Sequence, residues 1–64
     1  MRLTDFWQRM EAHFGAGYAS SWARDTRLVE LEGLTVEEAL KAGLEAQDVW
    51  RAVWAHEGLH PKER

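Results

Sequence analysis

The chain predicts an all-α fold, a small single-domain bundle of three to four helices with a helix-turn-helix-like pair at 35–57. Three observations carry that reading. Glycines at 15, 17, 33, 43 and 58 cut the sequence into helical lengths. Apolar residues recur at helical spacing, while the alternation of β-branched residues that marks strands is missing. The stretch Thr35–Trp54, TVEEALKAGLEAQDVWRAVW, reads as helix, glycine stop, short turn and second helix.

The first helix is expected to begin with Thr4 as N-cap and Asp5 in the first turn, where the helix dipole favours a carboxylate. Phe6, Trp7, Met10 and Phe14 then share one face, and Gly15 ends the helix. A second segment is expected from about Ala16 to Leu31, with Tyr18 and Trp22 on one side. Ser20, Ser21, Asp25 and Thr26 are weak helix formers, so a break falls near Asp25, with Asp25 capping a short second piece that Gly33 closes.

The third helix has the clearest local signal. Thr35 and Glu38 spell a T-x-x-E capping box, in which each residue satisfies an amide the other leaves open. Ala39 and Leu40 face inward, and Gly43 stands where a left-handed C-terminal residue is wanted. The fourth helix follows from a cap at Glu45, flanked by Leu44 and Val49 as a hydrophobic staple. Val49, Trp50, Val53 and Trp54 form its apolar stripe, and Gly58 and Pro61 terminate it. The expected domain spans 1–60, with a frayed tail at 61–64. Its core is drawn from Phe6, Trp7, Met10, Trp22, Leu40, Val49, Trp50 and Val53.

Sixty-four residues make one domain, near the lower limit for folding without staples. No cysteine is present, so disulfides and thiolate metal sites are excluded, and side chains alone must build the core. The net charge is −3. From Thr35 onward six acidic residues face four basic ones, which works against phosphate binding. The opening MRLTDFWQRMEAHF mixes acids and bases with no apolar run, so neither a signal peptide nor a membrane span is expected there. A cytoplasmic protein is the default expectation.

Several patterns invite a functional reading, each with a plainer alternative. His56–His60 reads HEGLH, a literal H-E-x-x-H, which in zinc peptidases places two imidazoles on one helix face beside a glutamate base. Gly58 between the histidines and Pro61 after them break that geometry, and only three residues remain downstream to supply a third ligand. The plainer reading is a helix C-terminus where His suits the dipole. No metal site, cofactor-binding residue or catalytic residue is assigned. Nucleophile elbow, phosphate loop and paired catalytic carboxylates are all missing, so an enzyme is not expected.

If the second helix of the 35–57 pair read DNA, its first turns would offer Glu45, Gln47, Asp48 and Arg51 to the groove. Only Gln47 and Arg51 are typical base readers, and two carboxylates beside them would repel phosphates. Arg2, Arg9, Arg24 and Arg27 could form a phosphate patch, but interleaved acids make a solvated face of ion pairs the plainer reading. Four tryptophans exceed what so small a core hides with ease, and Trp54 is expected to be the most exposed. Trp54, Arg51, Gln47 and Arg24 are the candidate interaction residues.

Four motifs in register, MRLTDFW, SWARD at Ser21–Asp25, TVEEAL at Thr35–Leu40 and DVWRAV at Asp48–Val53, give the chain a resemblance to a small actinobacterial family. That family is the domain of unknown function numbered 3046. The resemblance covers nearly the whole chain and implies a short, helical, cytoplasmic protein without assigned catalytic residues. It also implies gene neighbourhood with recombinases, a link to DNA repair by position only. HEGLH lies outside the matching motifs. The expected function is a non-catalytic module binding another protein or a second copy of itself. A DNA-binding accessory protein is the competing class, and a zinc hydrolase stands third.

Overall fold

The computed structural model describes residues 1–58. The residues after Gly58, including the expected tail 61–64, lie outside it. Four helices carry the described residues: α1 (Leu3–Phe14), α2 (Ala19–Asp25), α3 (Val36–Lys41) and α4 (Ala46–Glu57). No helix among them is long and apolar enough to cross a membrane.

α1 begins two residues earlier than a cap at Thr4 would have set. Its N-cap is Arg2, in extended conformation and without a side-chain capping bond. The Phe6 amide donating to the Arg2 carbonyl at 3.0 Å closes the first turn without help from Thr4. Gly15 ends the helix as expected, at φ 94°, which a residue with a Cβ rarely adopts.

The second segment breaks where expected but continues differently. α2 stops at Asp25, and Thr26 turns extended. Asp25 caps nothing that follows, because its carboxylate accepts from Arg24 Nε at 3.2 Å. In place of another helical piece, Arg27–Leu28 (β1) pairs antiparallel with Leu34–Thr35 (β2) around one 3-10 turn, Val29–Leu31. Cα partners are Arg27 with Thr35 and Leu28 with Leu34. The fold class is all-α as expected, and this two-stranded ribbon is a small addition to it. Two-residue strands contain no alternation to read, whereas burial of Leu28 and Leu31 fixes them in place. Left-handed backbone at Glu32 (φ 58°) and Gly33 (φ 86°) reverses the chain between the strands.

α3 has only six residues, and its two ends are both locked. At the start, the Glu38 amide donates to Thr35 Oγ1 at 3.1 Å, and the Thr35 amide donates to Glu38 Oε1 at 3.0 Å. At the end, the Gly43 amide donates to the Leu40 carbonyl and the Leu44 amide to the Ala39 carbonyl, both at 3.1 Å. That bonding is a Schellman motif, and Gly43 at φ 95° makes it possible. Leu44, expected to staple onto Val49, is 38 % exposed, so backbone bonding sets the path of the turn more than apolar contact does. α4 starts from Glu45 without a side-chain cap and closes at Gly58.

The capping box has a measurable consequence. Its backbone hydrogen bond from Thr35, joined by the nearby Arg27 guanidinium, holds the Glu38 carboxyl below its ordinary value of 4.5. A depressed carboxyl stabilises the fold above its unfolded value and loses that contribution as pH falls through the folded one. The stability gap between wild type and Glu38→Ala is therefore expected to be full near neutrality and to close below pH 4.5. Thr35→Ala should cost about 1 kcal/mol, as loss of an N-cap does. Urea titrations across pH check both, and a gap that persists at low pH would refute the assignment.

The core sits where α1, α2, α3 and α4 meet the ribbon. Phe6, Met10, Trp22, Val49, Trp50 and Val53 are buried, as the helical spacing predicted. Trp7 and Leu40, also assigned to the core, are only half-buried and pack at its edge. In α3 the inward face is centred on Val36 and Ala39, and Leu40, four residues after Val36, packs at the border of that face. Leu28, Leu31 and Val36 take up core volume that the helical stripes did not announce.

Candidate interaction surface

α4 presents two different faces. Val49, Trp50, Ala52 and Val53 are buried, while Gln47, Asp48, Arg51 and Ala55 are exposed. Gln47, Arg51 and Trp54 follow one another at spacings that place them on one outward stripe. Trp54 is half-buried at the border of that stripe. Trp7 is half-buried too, so the exposed share of indole surface is divided between α1 and α4. Arg51 Nη1 lies 3.8 Å from Asp48 Oδ1, and both side chains are mostly in solvent. Glu45 stands exposed at the same end of the helix.

Arg24 is not brought to this stripe. It lies on α2, and its guanidinium pairs with the neighbouring Asp25 at 3.2 Å, with both groups exposed. Arg27 likewise pairs with Glu38 at 3.4 Å and donates to the Gly33 carbonyl at 3.0 Å. Arg9 lies over the Trp50 ring, its Cζ 6.0 Å from the ring centroid. Arg9, Arg24 and Arg27 are therefore dispersed among separate local partners rather than gathered into a patch.

At the opposite end of α4 the structure assembles a cluster that the sequence did not announce. His56 Nδ1 lies 3.2 Å from Glu30 Oε1, and His13 Nε2 lies 3.2 Å from Glu57 Oε1. These contacts tie α4 to the 3-10 turn on one side and to α1 on the other. The Phe14 and Trp22 rings stack at 4.3 Å, and the His56 ring meets Trp22 edge-on at 6.1 Å. The partners are 44 and 26 residues apart in the chain, so no local spacing reveals them. The only sequence signal is a histidine in the last turn of each long helix.

The cluster bears on HEGLH. Its first His and its Glu are adjacent on α4 and reach to different elements, His56 to the 3-10 turn and Glu57 to α1. His60 lies outside the described residues. Among the described residues no group of three or more His, Cys, Asp or Glu could hold a metal ion. The chemistry available here is that of two solvent-screened histidine–carboxylate contacts, each of which contributes at most about 1 kcal/mol.

No curated protein and no solved structure matches the chain. A family model described as "Protein of unknown function (DUF3046)" matches residues 1–61. That match takes in α1 to α4, both ends of the capped α3 and the whole outward stripe, and on its extent the chain belongs to this family.

Proposed function

We propose that this protein is a non-catalytic cytoplasmic module that docks another protein through the outward stripe of α4. The observation that carries the reading is the placement of Arg51 and half-buried Trp54 one turn apart on an otherwise exposed helix face. Arg and Trp are the residue types that most often dominate binding energy when a partner covers them. Trp54 is anchored by its buried edge and therefore loses little conformational entropy on binding. α3 and its glycine turn brace the start of the same helix, in a helix-turn-helix-like arrangement.

That arrangement is shared with DNA readers, but the charges on α4 oppose a duplex. Asp48 already faces Arg51, and Glu45 adds a second carboxylate at the end that would enter a groove. Each phosphate contact a DNA reader makes must be supplied by a cation. Arg24, Arg27 and Arg51 are each engaged by an acid of the same chain.

The test uses the intact chain as bait for crosslinking in native lysate, followed by titration with the purified partner it identifies. Trp54→Ala and Arg51→Glu, each checked for wild-type circular dichroism, should weaken that complex by about 30-fold or more, as loss of a central anchor does. Fluorescence anisotropy with random and native-locus duplexes runs beside it. A submicromolar, sequence-selective duplex complex at about 150 mM salt, lost in Arg51→Ala, would replace this reading with a DNA-binding one.

A further inference from the structure

The last turn of α4 contains an acid that local helix rules place badly. Glu57 is the final residue of α4, at the end where the helix dipole is negative and disfavours a carboxylate. Beyond Val53 none of the α4 residues is buried, so the core holds the helix only up to that point. A helix end without further support opens and closes at almost no cost in free energy. Half-buried Trp54 stands at the start of this weakly held stretch. Glu57 follows it by three residues, on the same side of the helix.

We propose that Glu57 and His13, together with His56 and Glu30, are positioning residues that hold this turn closed and so fix the orientation of Trp54. Glu57 Oε1 accepts from His13 Nε2 on α1, and Glu30 Oε1 on the 3-10 turn accepts from His56 Nδ1, both at 3.2 Å. An ionised carboxylate only accepts, so the imidazole N–H is the donor in each pair. The two contacts leave α4 from adjacent residues in different directions. Each ends on a segment that the core already fixes, α1 through Phe6 and Met10 and the 3-10 turn through Leu28 and Leu31. Opening the turn therefore breaks both contacts at once.

Shielding separates these two pairs from the ion pairs that are spent in solvent. Their side chains are 28–31 % exposed, against 58–67 % for Arg24–Asp25 and Arg51–Asp48. Each pair changes an equilibrium by about fivefold at most, which is little against the stability of a whole fold. At a helix end it decides the outcome, because there opening costs almost nothing. At their upper limit the two together turn an end that is open about half the time into one open on the order of one part in 25.

The proposal rests on the reading of Trp54 as part of a docking stripe, and adds how that side chain is held before a partner arrives. Amide hydrogen exchange of the intact chain, followed residue by residue by NMR, tests it through a sign. By local rules alone, Glu57→Ala removes an unfavourable charge and introduces the best helix former, so it should tighten the last turn. As the loss of a tether, the same change should instead lower the protection factors of Ala55, His56 and Gly58 by about two- to fivefold. His13→Ala and Glu30→Ala lie outside α4 and should lower protection at those amides by the same amount. In all three variants the Trp54 indole N–H resonance should move toward its random-coil position. The amides of Val49 and Val53 should keep their protection, and circular dichroism melts should stay within a few degrees of wild type. Protection in the last turn that is unchanged or raised by Glu57→Ala would overturn the proposal, and so would a uniform loss across α1, α2 and α4. Either result leaves the docking reading standing, because that reading is decided by Trp54→Ala against a partner and not by exchange in the free chain.

Discussion

Trp50→Ala is expected to abolish the cooperative unfolding transition. Trp50 is only 4 % exposed, meets Phe6 edge-on at 6.4 Å and lies beneath Arg9. Truncating a buried Trp removes its transfer free energy and leaves a cavity, together about 3–5 kcal/mol. A domain of this size has on the order of 3–5 kcal/mol in total, so the variant should be largely unfolded at room temperature. Trp50→Phe separates packing from hydrogen bonding. The indole N–H is buried and has no hydrogen-bond partner among the described residues, so it contributes an unfavourable desolvation term. Phenylalanine removes that term along with part of the ring, and the variant should fold with a far smaller loss than alanine. Circular dichroism melts decide the matter. A Trp50→Ala protein that melts cooperatively within a few degrees of wild type would show that the ring does not hold the core together.

Trp22→Ala should cost a similar amount, about 3–5 kcal/mol, for a different reason. Trp22 is 8 % exposed and joins α2 to both long helices by stacking on Phe14 and meeting the His56 ring edge-on. Its loss removes core volume and also the apolar wall behind the His56–Glu30 pair. Where any folded population survives, for example in added osmolyte, the His56 ring protons should move toward random-coil shifts while the methyl groups of Val36 and Ala39 move little. Equal perturbation of both regions would mean that Trp22 acts as a general filler and not as a link between helix ends.

The features legible in the sequence are those whose cause is local. Thr35 and Glu38 are three residues apart, and their reciprocal bonds follow from that spacing alone. Gly15, Gly43 and Gly58 end helices because only the backbone at each site decides the matter. The helical stripes of α1 and α4 placed Phe6, Met10, Val49, Trp50 and Val53 correctly in the core. What escaped detection depends on residues distant in the chain. The pairing of Arg27–Leu28 with Leu34–Thr35 is too short to have a period, and it exists because Leu28 and Leu31 find cover against α4. The His13–Glu57 and His56–Glu30 contacts need the helix ends to have met already. On the candidate surface, Gln47, Arg51 and Trp54 could be joined because they share one helix. Arg24 could not be placed, because the position of α2 relative to α4 is a property of the packed core.

The double lock on α3 has a kinetic meaning. Six residues are well below the length at which a helix persists by itself, since nucleation costs more than so few propagation steps return. The capping box and the Schellman turn hold the ends but bury no large apolar side chain. α3 can therefore gain lasting structure only after the longer helices α1 and α4 have begun to condense and offer Val36 and Ala39 a place out of water. It is a late arrival on the folding route, and substitutions within it should speed unfolding more than they slow folding. The 35–57 unit is accordingly not portable. Cut from the chain, it would keep the local code for a helix, a stop and a second helix, yet lack the surface that makes the first of them stay folded.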